Sequence, residues 1–99
     1  MTEGQLQDRI LALCAWLHLR VYHVVRSDKA IVTDKGFPDL VIAGPFGTVF
    51  AELKDQKRKP TKDQIEWLST LSRTNEHVYL WRPSDWDQIQ DILKKVAGR

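Results

Sequence analysis

Three charged side chains, Asp39, Glu52 and Lys54, sit on two short apolar runs separated by Gly44-Pro45-Phe46-Gly47. Two such runs joined by a Gly/Pro-rich turn form a β-hairpin. A turn over positions 44–47 sets Asp39 directly opposite Glu52, and opposed side chains of an antiparallel pair have Cβ atoms about 4.5–5.5 Å apart. Period-two alternation puts Lys54 on the same face as Glu52. The other face takes Leu40, Ile42, Val49, Ala51 and Leu53, an unbroken apolar stripe. Two facing carboxylates repel each other, and burial worsens it. A hard divalent cation such as Mg²⁺ offsets that cost, because it takes one or two carboxylates together with water and phosphate oxygens. Lys54 alone also offsets it by neutralising one carboxylate, which would make the trio a structural ion-pair cluster. A one-residue slip of the turn would move Asp39 off this face. Geometry by itself leaves both readings open.

The elements around the hairpin follow from periodicity. Thr2 and Gln5 form a capping-box signature, followed by Leu6, Ile10, Leu13, Cys14 and Leu17 at helical spacing, which predicts a helix over about residues 3–18. Residues 20–26 are β-branched and aromatic and predict a strand. A long polar connection, residues 27–36, leads to the hairpin strands at 39–43 and 48–54. Lys57-Arg58-Lys59-Pro60 breaks the pattern. Thr61 and Gln64 then repeat the capping-box signature, with Ile65, Leu68 and Leu71 as the expected buried stripe of a helix to about Ser72. His77 to Trp81 predicts a strand, and Ser84 is the expected cap of a last helix with Trp86, Ile89, Ile92, Leu93 and Val96 inward, ending at Gly98. The order is helix, three strands, helix, strand, helix: an α/β arrangement with a mixed sheet flanked by helices.

A chain of 99 residues suits one compact domain, residues 1–99. Hydrophobic residues at 42% and charged residues at 28% describe a globular protein rather than a disordered one. The net charge of +2 announces no polyanionic partner, so any such case rests on where the charges lie. The single cysteine, Cys14, falls within the apolar pattern and reads as a small buried hydrophobe. No stretch approaches the roughly 20 apolar residues of a membrane span, and no secretion signal is visible. An intracellular location is the expectation.

Gly36-Phe37-Pro38-Asp39-Leu40, Ala51-Glu52-Leu53-Lys54, Thr61 to Gln64 and Trp67-Leu68 together resemble the virus-type replication-repair nuclease (VRR-NUC) family of the PD-(D/E)XK nuclease superfamily. Pro38-Asp39 matches the first element of the motif, Glu52-Leu53-Lys54 the second, and Gln64 the glutamine at the start of the following helix. The resemblance covers almost the whole chain and implies a restriction-endonuclease-like αβββαβα core. It also implies phosphodiester hydrolysis with Mg²⁺ or Mn²⁺, leaving a 5′-phosphate. Asp39, Glu52 and the main-chain carbonyl of Leu53 would ligate the metal, and Glu3 would complete the site through water. Lys54 would orient or deprotonate the attacking water. The implied enzyme is an endonuclease acting on branched or junction DNA, of phage or mobile-element type and so placed in the host cytoplasm. A homodimer is the expected assembly, and a catalytically inactive DNA-binding module of the same fold is the alternative.

The supporting residues each carry two readings. Glu3 lies on the inward face of the first helix, where a carboxylate is unexpected, yet an acid in a first turn also favours the helix dipole. Gln7 lies one turn further on. Gln64 is either the return partner of Thr61 or a neighbour of Lys54. Lys57, Arg58, Lys59 and Lys62 follow the catalytic strand, while Arg26, Lys29 and Lys35 lie on the long connection. Beside a phosphate-cutting centre these cations are placed to hold DNA backbone; otherwise they are solvated loop charges. His23 is either a sheet residue or a phosphate contact, and the tryptophans are expected in the core.

Overall fold

A computed structural model describes residues 1–24 and 35–99. Helix α1, Glu3–Trp16, starts at Thr2, whose side chain accepts from the Gln5 N–H while Gln5 answers the Thr2 N–H. It ends with His18 in the left-handed region at φ 61 and a bond from the Leu19 N–H back to the Cys14 carbonyl. That reversal turns the chain into β1, Arg20–His23. Strands β2, Leu40–Gly44, and β3, Gly47–Leu53, form the hairpin. Helix α2, Lys62–Ser72, crosses to β4, His77–Trp81, and helix α3, Trp86–Ala97, closes the chain.

The sheet order is β1-β2-β3-β4, with β1, β2 and β3 antiparallel in succession and β4 parallel to β3. The hairpin register is the expected one, Leu40 opposite Ala51 and Gly44 opposite Gly47. One face of the sheet packs on α1 and α3 through Leu40, Ile42, Val49, Ala51 and Leu53, which meet Leu6, Ile10, Cys14, Ile89, Leu93 and Val96. All of these are buried, Cys14 among them. Helix α2 covers part of the opposite face, where Glu52 lies. Among the described residues no helix is long and apolar enough to cross a membrane.

Four local expectations need correction. The inward residue of α2 is Gln64, while Ile65 is 52% exposed and Leu68 and Leu71 are half-buried. Gln64 takes the inward place in the first turn because that turn serves a buried carboxylate rather than an apolar core. Ser84 does not cap the last helix. A 3₁₀ turn, Pro83–Asp85, precedes α3, and the Asp85 side chain accepts from the Arg82 N–H. Trp16 is 69% exposed, because it lies off the Leu6-Ile10-Cys14 stripe, and the Arg99 guanidinium sits over its ring. The described part of β1 ends at His23, short of the expected 26; residues 25 and 26 lie outside the described residues.

Candidate active site

The hairpin alternation makes the site. Along β3, Val49, Ala51 and Leu53 point into the core, so Phe50, Glu52 and Lys54 share the opposite face. Glu52 is only 1% exposed and Lys54 is nearly as buried. A carboxylate at that depth demands donors. Gln64 Nε2 donates to Glu52 Oε2 at 2.8 Å, and Lys54 Nζ lies 4.0 Å from the same oxygen.

Gln64 is the return partner of Thr61, as one reading expected, and its other amide atom meets Glu52 rather than Lys54. Its Oε1 accepts from the Thr61 N–H at 2.8 Å, closing the capping box, and its amide nitrogen is thereby aimed at Glu52. The orientation is forced, since a main-chain N–H can only donate and requires the amide oxygen. The start of α2 and the Glu52 side chain are thus locked together by one residue.

The Gly36-Phe37-Pro38-Asp39 segment brings in the second carboxylate. Gly36 has φ +85, and a Cβ there would run into the Asp63 main chain at the start of α2. Only glycine allows that approach without strain. Phe37 wedges edge-on between Phe50 and Trp67, with centroids 6.2 and 5.0 Å away. Asp39 Oδ2 then accepts from the Leu53 N–H at 2.9 Å. Continued by one residue, the β2–β3 register sets Asp39 opposite Glu52.

Pro38 has a further consequence. Asp39 main-chain groups turn toward β1, as the bond from the Val24 N–H to the Asp39 carbonyl shows. Alternation then turns those of residue 38 toward β3, where the register, continued by two residues beyond Leu40–Ala51, meets Leu53. Proline has no N–H to give the Leu53 carbonyl. The ladder bond that the register would place on that oxygen cannot form. Two carboxylates and a main-chain oxygen released from the ladder are a hard-donor set, the chemistry that suits Mg²⁺ or Mn²⁺.

The remaining candidates are spread out. Glu3 and Gln7 are half-buried in the first turns of α1. No group of three or more His, Cys, Asp or Glu side chains among the described residues is placed to hold a metal, so Glu3 does not form such a group with Asp39 and Glu52. Lys35 is 74% exposed and pairs with Asp63 at 3.5 Å. Lys57, Arg58, Lys59 and Lys62 are exposed. Arg26 and Lys29 lie outside the described residues. His23 pairs with Leu40 and so faces away from Glu52, whereas Tyr22, paired with Val41, shares the Glu52 face and is 66% exposed.

Sequence reasoning missed the residues that shape the following loop. Asp55 Oδ1 accepts from the N–H groups of Lys57 and Arg58. Those bonds, Arg58's first, hold its carboxyl below the usual carboxylate range. Arg82 reaches the same loop from the end of β4. The spacing Asp55-x-Lys57-Arg58 was a readable turn signal; nothing local announced Arg82.

The fold matches a solved structure described as a VRR_NUC domain protein, with a TM-score of 0.65 and 18% identity over 97% of this chain and 88% of that one. A solved structure of Hjc, a Holliday junction resolvase from the hyperthermophilic archaeon Archaeoglobus fulgidus, is also similar. Its TM-score is 0.49, at 22% identity over 78% of this chain and 64% of that one. At such identities the first likeness establishes the fold, and the second score is too low to add to it. No protein-family model and no curated protein matches the sequence.

Proposed function

We propose that this protein is a divalent-metal-dependent nuclease that hydrolyses DNA phosphodiester bonds. The observation that carries the reading is Glu52, 1% exposed, held by Gln64 and Lys54 on the face where the register brings Asp39 opposite. The VRR_NUC-like fold supports it, as does the carbonyl of Leu53 beside Pro38. Asp39, Glu52 and that carbonyl are the residues that would hold Mg²⁺ or Mn²⁺. When bound, such an ion supplies Lewis acidity and favours ionisation of water near neutral pH.

The chain's own groups do the rest. Gln64 fixes the Glu52 carboxylate in one orientation, so little reorganisation remains when substrate arrives. Lys54 orients or deprotonates the attacking water and counters the charge that builds on the phosphoryl oxygens. Lys35, Lys57, Arg58, Lys59 and Lys62, with Arg26 and Lys29, supply cations for the DNA backbone. Branched or junction DNA is the substrate class the sequence resemblance points to, and a homodimer is the assembly that makes paired cuts.

The test is incubation of junction and linear DNA with the protein, in Mn²⁺ or Mg²⁺ and in chelator. Cutting that requires the ion is the expected result. DNA that is retarded but intact under every condition would mean a binding module without catalysis. Lys54→Ala should lower kcat by about 10²-fold or more while calorimetry finds metal affinity little changed; loss of metal binding would remove its assigned role.

A further inference from the structure

The segment that leaves β3 just after Lys54 carries three exposed cations in a row, Lys57, Arg58 and Lys59. Like charges that close repel, and an untied loop of them would be an ensemble. This one is tied at both ends. Asp55 Oδ1 accepts from the Lys57 N–H at 2.9 Å and the Arg58 N–H at 2.7 Å, and Asp55 Oδ2 lies 3.8 Å from Arg58 Nε. Gln56 Oε1 accepts from the Ser84 N–H at 2.7 Å. Arg82 closes the loop, its Nη1 donating to the carbonyls of both Asp55 and Arg58.

The choice of Arg82 for that task is informative. It adds a fourth cation to a place that already holds three beside the one carboxylate of Asp55, which its charge favours, and it directs its donors to main-chain oxygens. Neutral donors would close the loop without adding to that positive excess. The arrangement makes sense where cationic density and a fixed loop shape are both useful, that is, where a polyanion docks. With the carbonyls of Asp55 and Arg58 turned to Arg82, the exposed side chains of residues 57–59 are left for phosphates, starting two residues on from Asp55 and beside the strand that carries Glu52 and Lys54. The entropy of ordering the loop is then lost on folding instead of on binding.

We infer that Arg82 is a positioning residue, holding the 55–59 loop in the shape in which Lys57, Arg58 and Lys59 grip the phosphodiester backbone; this rests on the nuclease reading. It acts through the loop and not on the scissile bond. Lys54 and Glu52 have their own anchors, the bond from the Lys54 N–H to the Trp81 carbonyl and the Gln64 amide. Binding should therefore depend on Arg82 far more than turnover does.

The experiment compares the full-length wild type with Arg82→Met, which keeps the aliphatic stem, and Arg82→Lys, whose ammonium can still donate to two carbonyls. Endoproteinase Lys-C cleavage after Lys57 reports loop opening, since cleavage tracks the population of the open form. Affinity for junction and linear DNA is measured across salt concentrations, and KM and kcat in Mn²⁺. Arg82→Met should be cut about tenfold faster and bind DNA about tenfold more weakly, with the salt slope reduced by about one to two units. KM should rise while kcat stays within about threefold, and Arg82→Lys should restore most of each loss. If wild type binds DNA and Arg82→Met binds it equally well with the same slope, the inference is overturned. It is also overturned if Lys-C cuts both proteins at one rate. A wild type that binds no DNA at any salt overturns the nuclease reading and this role together, so the two failures are distinct. Should Arg82→Met not fold, Arg82→Gln, which keeps an amide donor, carries the same comparison.

Discussion

The two faces of one sheet are built on opposite rules. Toward α1 and α3, Leu40, Ile42, Val49, Ala51 and Leu53 are all fully buried and apolar, and their partners are apolar too. Toward α2, a glutamate and a lysine are buried nearly as deeply, held by an amide and a main-chain register. The first face gains by removing area from water; the second must replace lost hydration bond by bond. Strand β3 belongs to both, residue by alternate residue. Stability should therefore reside on one face and activity on the other, and substitutions can test how cleanly the two separate.

The largest expected effect is on the charged face. Glu52→Gln keeps the shape and an oxygen for the Gln64 amide but removes the charge a divalent ion needs. Cutting should fall by about 10³-fold or more, about 4 kcal/mol in activation free energy, while denaturant midpoints move little. A Glu52→Gln protein that still nicks DNA at the wild-type rate would break the division of labour at its strongest point.

Ile42→Ala makes the reciprocal change on the apolar face. A cavity under α1 and α3 should destabilise by about 2–5 kcal/mol. Activity per folded molecule, measured well below the midpoint temperature, should persist. If kcat instead falls in step with stability, the two faces are mechanically coupled through the hairpin and the separation is wrong.

How legible this division was depends on the range of the interactions involved. The β3 alternation, the hairpin register and both capping boxes are written within a few residues, and each was readable. The face of α2 was not. Apolar spacing favoured Ile65, but the burial of Glu52, twelve residues earlier, turned Gln64 inward instead. The Ser84 cap failed for a similar reason, because the Asp85 side chain was taken by Arg82 and Pro83 began a tighter turn. The Arg82 ties span 24 and 27 residues and leave no periodic trace. Nor could the sequence show that Pro38 falls opposite Leu53 until the register was fixed.

Gln64→Leu sharpens the comparison from the seam between faces and helix. It removes the capping-box return and the donor to Glu52 together, about 1 kcal/mol for the cap and about 1–3 for the buried acceptor. Thr61→Ala removes the hydroxyl half of the cap and leaves the Gln64–Glu52 bond. Both variants should lose stability in denaturant titrations, but only Gln64→Leu should also lose cutting rate. Equal rate losses would show that Gln64 matters to Glu52 merely by starting the helix.

The smallest effect probes how dry the apolar face is. Cys14 lies within it, and burial pushes its thiol from about 9 up to about 11. In the unfolded chain the thiol ionises above about 9, whereas in the fold it stays protonated, so between these values the unfolded state binds fewer protons. Stability that is fully present below pH 9 should therefore drain away up to about pH 11, by about 3 kcal/mol at 1.36 kcal/mol per pH unit. Lysines and tyrosines titrate in the same window, so the measurement is the difference between wild type and Cys14→Ala in urea titrations from pH 8 upward. The advantage of wild type at pH 8 should shrink steadily and level off beyond about pH 11. Two curves that stay parallel would mean that the thiolate is tolerated beside Leu6 and Ile10, and that the face opposite Glu52 is less sealed than its packing implies.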